Sequence, residues 1–208
     1  ETDYSAGQAE DESDNEMLGK NIKLIQFSIS VGTGIAFPWV GEYIEIAKRI
    51  LALPNPKVGA NVWLFDNPIL IAHGALVAGR IDDTMFAWHH MQPDLPADLQ
   101  FVASMFGAKF PWKHYAGPHL SWYGCADADM ALMIWRGLPD AMDKVGVWDS
   151  YEKYVLGLRP VLVAMTSRGV AVDRDALVAF GELLKIEIER VRGEVLPLVP
   201  AELQRFKP

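Results

Sequence analysis

The chain has 208 residues, half of them hydrophobic, and a net charge of −8; this supports a globular core and argues against a basic, sequence-blind nucleic-acid coat. With no run of about 18 apolar residues and an acidic N-terminal stretch, neither a membrane span nor a signal peptide is supported, and a cytoplasmic location is expected. The lone Cys125 rules out an intramolecular disulfide and a cysteine-rich metal site, and its apolar helix predicts a small buried hydrophobe.

Charge is uneven along the chain. Residues 153–208 carry a net +2 and residues 1–152 a net −10, with seven acids in the first sixteen positions. The run AEDESDNE, residues 9–16, has no apolar period and reads as a solvated loop.

In chain order, IKLIQFSIS (22–30) and IAFPW (35–39) flank the turn VGTG and predict a hairpin. No helix start follows Gly32 and Gly34, so they are turn residues rather than a phosphate loop. EYIEIAKRILAL (42–53) has helical spacing and stops at Pro54. KVGANVWLF (57–65) reads as a buried central strand, with Asp66 at its end, where DNPILIAHGAL turns into a helix. Two short helices, 82–91 and 97–106, are separated by the prolines of QPDLP, and Asp83 is placed as an N-cap.

After a loop from Gly107 to Pro118, WYGCADADMALMIW (122–135) reads as one helix. Residues four apart share an edge, so Tyr123 and Asp127 can serve one point in space, whereas Asp129 is expected to face solvent or stand behind the site. The loop stretch GAKFPWKHY is read as an ordinary loop, although its lysines and aromatic rings could meet phosphate and stack on bases. His89 and His90 point about 100° apart and do not suggest a shared metal. From about Asp149 the texture changes: a helix over 150–169, then Asp173 capping a second helix to about Arg192, whose stripe Leu177, Phe180, Leu184, Ile188 and Val191 needs a partner. Strands and alternating helices predict an α/β fold, a mixed sheet flanked by helices.

The chemistry is expected from acids at element ends. Glu1, Asp66 and Asp127, with Tyr123 beside them, favour a hard ion such as Mg²⁺ or Mn²⁺ over zinc. Two such ions suit phosphodiester cleavage, and without them the carboxylates would repel one another.

These residues also carry a resemblance. YGCADADMAL is similar to the third motif, Tyr-x-x-x-Asp, of the proofreading 3′→5′ exonuclease domain of family A DNA polymerases, of the bacterial DNA polymerase I or phage type. KVGANVWLFDNPIL resembles the second motif with Asp66 as its acid, ETD the back half of the first motif, Asp-x-Glu, with Glu1 as its glutamate, and SRGVAVDRDAL the entry to the polymerase region. The stretch IDDTMFAWHHMQPDLPADLQFVASMF is similar to the segment between the second and third motifs. The first motif's aspartate falls two residues before Glu1, and the asparagine of the second motif stands at Asn61 rather than at Val62.

The resemblance implies a ribonuclease H-like exonuclease domain over residues 1–148, its first strand truncated, and the incomplete helical start of a polymerase domain over 149–208. It further implies that Glu1, Asp66 and Asp127 hold two Mg²⁺ or Mn²⁺ ions and that Tyr123 orients the attacking water. Thr2 and Asn61 would approach the substrate. The partners implied are a single-stranded DNA 3′ end, a primer-template, the nucleoside monophosphate product and the rest of the polymerase chain, with no membrane. Two rivals remain: a vestigial exonuclease fold kept as a structural or DNA-binding scaffold, and a free-standing nuclease of the same superfold.

Overall fold

A computed structural model describes residues 21–200 of the chain. The chain divides after Leu158 into two compact units.

The first unit opens with the expected hairpin. Strands β1 (Leu24–Phe27) and β2 (Ile35–Pro38) pair antiparallel with Ile25 opposite Phe37, and the turn between them places Gly32 at a φ of 87°, a conformation that glycine adopts without steric cost. Helix α1 (Glu42–Leu51) carries Glu42 and Glu45 in its first turn and Lys48 and Arg49 in its last, as the helix dipole favours. It buries Ala47 and Leu51 against Ile25 and Ala75 in a small cluster.

Strand β3 (Lys57–Gly59) is much shorter than expected. It pairs in parallel with β4 (Ile81–Asp83), with Gly59 opposite Asp83, and helix α2 (Asp66–Ala72) lies in the crossover between them. The strand predicted to reach Phe65 stops because Asn61 takes a φ of 59° and the Asp83 carboxylate accepts the backbone N–H groups of Asn61 at 2.9 Å and Trp63 at 3.1 Å. Those amides are withdrawn from a ladder, the chain turns over residues 60–65, and Asp66 becomes the first residue of a helix instead of the end of a strand. Instead of one mixed sheet, the described residues form two separate two-stranded ladders, one antiparallel and one parallel.

Asp83 also caps helix α3 (Thr84–Met91) by accepting from the Met85 N–H, and Asp98 caps α4 (Leu99–Met105) by accepting from that of Phe101. Helix α5 (Leu120–Lys144) is the spine of this unit, and its residues Ala131, Ile134, Leu138 and Met142 repeat at helical spacing on the buried face. They meet Trp63, Trp88, Trp112 and Tyr151 in the main core.

The hairpin docks on α5 at close range. A Cβ at Gly34 would lie 2.7 Å from Cys125 Cβ, a contact that real Cβ atoms essentially never show. Cys125 is only half-buried there, less enclosed than expected. Asp129, expected at the surface or behind the site, is instead buried: it accepts the Gly32 N–H at 2.9 Å and the Ser28 hydroxyl at 3.1 Å, fixing the hairpin turn to the helix.

The helical run continues from Trp148 through a π-helical turn at Tyr151–Val155 into α6 (Leu156–Arg168). In the second unit, Asp173 caps α7 (Arg174–Val195) as expected, accepting from Ala176 N–H at 3.0 Å. This helix passes through Gly193, beyond its expected end, and its outer face carries ion pairs such as Lys185–Glu182 and Arg192–Glu189. Leu177, Phe180, Leu184, Ile188 and Val191 are all exposed. Among the described residues no helix is long and apolar enough to cross a membrane.

Candidate active site

A cavity of about 450 Å³ lies in the first unit, and Gln26, Asn61, Asp66, Asn67, Lys113 and Asp127 are among its polar lining residues. Gln26 comes from β1, and three other stretches of chain supply the rest. The turn after β3 and the start of α2 present Asn61, Asp66 and Asn67. One edge of α5 presents Asp127, and the loop before it presents Lys113.

Asp66 is the most perturbed acid of the group. Burial raises its pKa from 3.8 to about 6, and the charges of Asp83 and Asp127 push in the same direction. Asp83 is likewise raised by burial, against the pull of the backbone N–H groups it accepts. It serves the site by bending the chain at Asn61 and Trp63. Asn61 faces the cavity because the left-handed turn removes it from strand alternation.

Tyr123 and Asp127 meet at one ammonium group. Lys113 Nζ donates to the Tyr123 hydroxyl at 3.0 Å and to the two Asp127 oxygens at 3.1 and 3.2 Å, and it lies 5.0 Å from the Tyr123 ring centroid. Burial raises the Tyr123 phenol, with the Asp127 charge adding to the effect and Lys113 opposing it. Burial alone would lower the Lys113 pKa, but its bonds to Tyr123 and Asp127 outweigh that and raise it. Trp112 donates its indole N–H to Asp127 Oδ1 at 2.6 Å.

The lining is rich in hard oxygen donors. The side-chain oxygens of Asn61 and Asn67 are buried without a hydrogen-bond partner, their residues line the same cavity as Asp66 and Asp127, and oxygen-only ligands suit Mg²⁺ or Mn²⁺. Two carboxylates and two amide oxygens fit such an ion in kind. Among the described residues no group of three His, Cys, Asp or Glu side chains could hold a metal, and the expected ligand Glu1 and substrate contact Thr2 lie outside the described residues.

Sequence reasoning missed Lys113, Trp112 and Asn67. GAKFPWKHY reads as an ordinary loop, with base stacking as its alternative, whereas Trp112 is buried in the core and both Trp112 and Lys113 bond to Asp127. His90 is bonded to the Ser150 hydroxyl at 2.7 Å.

No protein-family model matches the chain. Over 76 residues it is 33% identical to DNA polymerase I of Rhizobium leguminosarum, a match that spans 36% of this chain and 8% of that protein. The chain is thus similar to a small part of a DNA polymerase.

Proposed function

We propose that the chain is the 3′→5′ exonuclease portion of a DNA-directed DNA polymerase, hydrolysing the terminal phosphodiester of a single-stranded DNA 3′ end. The observation that carries this reading is that Asp66 and Asp127, from different elements, line one cavity together with two unpartnered amide oxygens. The antiparallel hairpin and the parallel β3–β4 pair with flanking helices are compatible with a ribonuclease H-like arrangement.

Asp66 and Asp127 would hold a divalent cation, joined by Glu1. A bound Mg²⁺ or Mn²⁺ would supply a water of lowered pKa and neutralise charge on the leaving oxygen. The chain's own residues supply the rest. Tyr123, a protonated phenol near neutral pH, would hold and aim a water beside Asp127, the acid with which it shares the Lys113 ammonium. Trp112 fixes the orientation of Asp127 through its indole N–H. The apolar walls of the cavity, among them Leu24, Phe27, Leu70 and Met85, would exclude water around the sugar and base of one nucleotide.

A 3′-labelled single-stranded oligonucleotide tests the reading. Protein produced from its whole gene should release nucleoside monophosphates in Mg²⁺, and Asp127→Ala should abolish release while leaving the circular dichroism spectrum unchanged. Release that persists in Asp127→Ala would refute the assignment.

The ammonium on Asp127 favours a second reading, a non-cleaving scaffold in the polymerase in which Lys113 has taken the place of a cation. That reading predicts oligonucleotide binding without product release at any Mg²⁺ concentration.

A further inference from the structure

Two adjacent loop residues hold one carboxylate, and they hold it in different ways. Trp112 is 1% exposed, with its indole in the main core and its N–H on Asp127 Oδ1. Withdrawing it would open a large hole in that core, so its bond is a fixed mount. Lys113 approaches from the open side, with its side chain 41% exposed, and contacts both oxygens of Asp127. An ion pair at that exposure is weak, and four rotatable bonds let the ammonium leave without any backbone movement.

We propose that Lys113 is a built-in counter-cation that a divalent ion displaces from Asp127, so that this lysine sets the ion concentration at which the site loads. The proposal rests on the reading of Asp66 and Asp127 as cation ligands. While the ammonium is on Asp127, it neutralises the carboxylate and occupies both of its oxygens. An ion drawn between Asp127 and Asp66 would also meet a like charge at close range unless Lys113 withdrew. The fixed bond from Trp112 keeps the Asp127 carboxylate aimed while its cation is exchanged. Lys113 therefore acts as a positioning residue for the unloaded site and a competitor during loading.

The test is equilibrium Mn²⁺ binding to the 208-residue chain, read as the spin-resonance signal of the free ion at fixed ionic strength. Lys113→Met should bind about three- to fivefold more tightly than the wild type, because a half-exposed ion pair no longer has to be broken. Lys113→Arg, which keeps the charge, should stay within about twofold of the wild type. Equal or weaker binding by Lys113→Met would overturn the proposal, as would Lys113→Arg tightening as much as Lys113→Met. Adding Asp127→Ala to Lys113→Met separates the two levels of the argument. Binding that survives it denies that Asp127 is a ligand at all, whereas binding that needs Asp127 but is indifferent to Lys113→Met removes only the role given to the lysine.

Discussion

Trp112 Nε1 donates to Asp127 Oδ1 at 2.6 Å, tying a loop residue to a helix residue fifteen positions later. The bond joins the main core to the rim of the cavity, so the packing of one aromatic ring sets the direction of a candidate ligand. Trp112→Phe keeps most of the ring but removes the N–H, and should destabilise the protein by about 1–3 kcal/mol. Trp112→Ala should cost about 3–5 kcal/mol through the cavity it leaves. Urea denaturation measures both, and a loss below about 0.5 kcal/mol for Trp112→Phe would mean that the bond carries no weight.

Asp83 organises the approach to Asp66. Its carboxylate accepts the N–H groups of Asn61, Trp63 and Met85. Asp83→Asn presents an amide N–H₂ where an acceptor stood and should lower stability by about 2–4 kcal/mol. Hydrogen exchange should quicken first at Asn61 and Trp63. Uniform quickening over the whole unit would instead point to global unfolding, without a local role for Asp83.

The raised pKa of Asp66 gives its contribution to stability a definite sign. The folded pKa, about 6, lies above the ordinary 3.8, so the contribution is fully present below about pH 4 and is lost as pH rises through 6. Asp66→Asn removes the ionisation. In metal-free buffer it should be more stable than the wild type by about 3 kcal/mol at pH 7, and the difference should vanish below pH 4. Parallel pH profiles for the two proteins would show that Asp66 titrates normally.

Asp129 holds the hairpin turn through Gly32 and Ser28. Asp129→Ala removes the acceptor of two hydrogen bonds, from the Gly32 N–H and the Ser28 hydroxyl, and should cost about 1–3 kcal/mol in all. Limited proteolysis should then cut within residues 29–34, and unchanged resistance there would deny that Asp129 anchors the turn.

Much of the local structure is legible in the sequence because its causes are local. Alternation and a glycine turn mark the hairpin, and an acid just ahead of a helical period marks the caps at Asp83 and Asp173. The end of β3 is not legible. KVGANVWLF has the apolar content of a longer strand, and what stops it is a carboxylate about twenty residues downstream that captures its amides. Asp129 fails for the same reason, since helical spacing says that it points away from Asp127 but not that Gly32 waits there. In the site, the common edge of Tyr123 and Asp127 follows from helical geometry, and both do reach one ammonium group. That the ammonium belongs to Lys113 depends on how the loop folds back on α5, and nothing in WKHY announces it.

The most direct measurement is a crystal of the chain soaked in Mn²⁺ and examined by anomalous scattering. The account predicts a peak within coordination distance of both the Asp66 and Asp127 carboxylates, with Lys113 Nζ withdrawn from Asp127. A peak that touches neither carboxylate, or an Asp127 still held by Lys113 with no ion beside it at millimolar Mn²⁺, would contradict it.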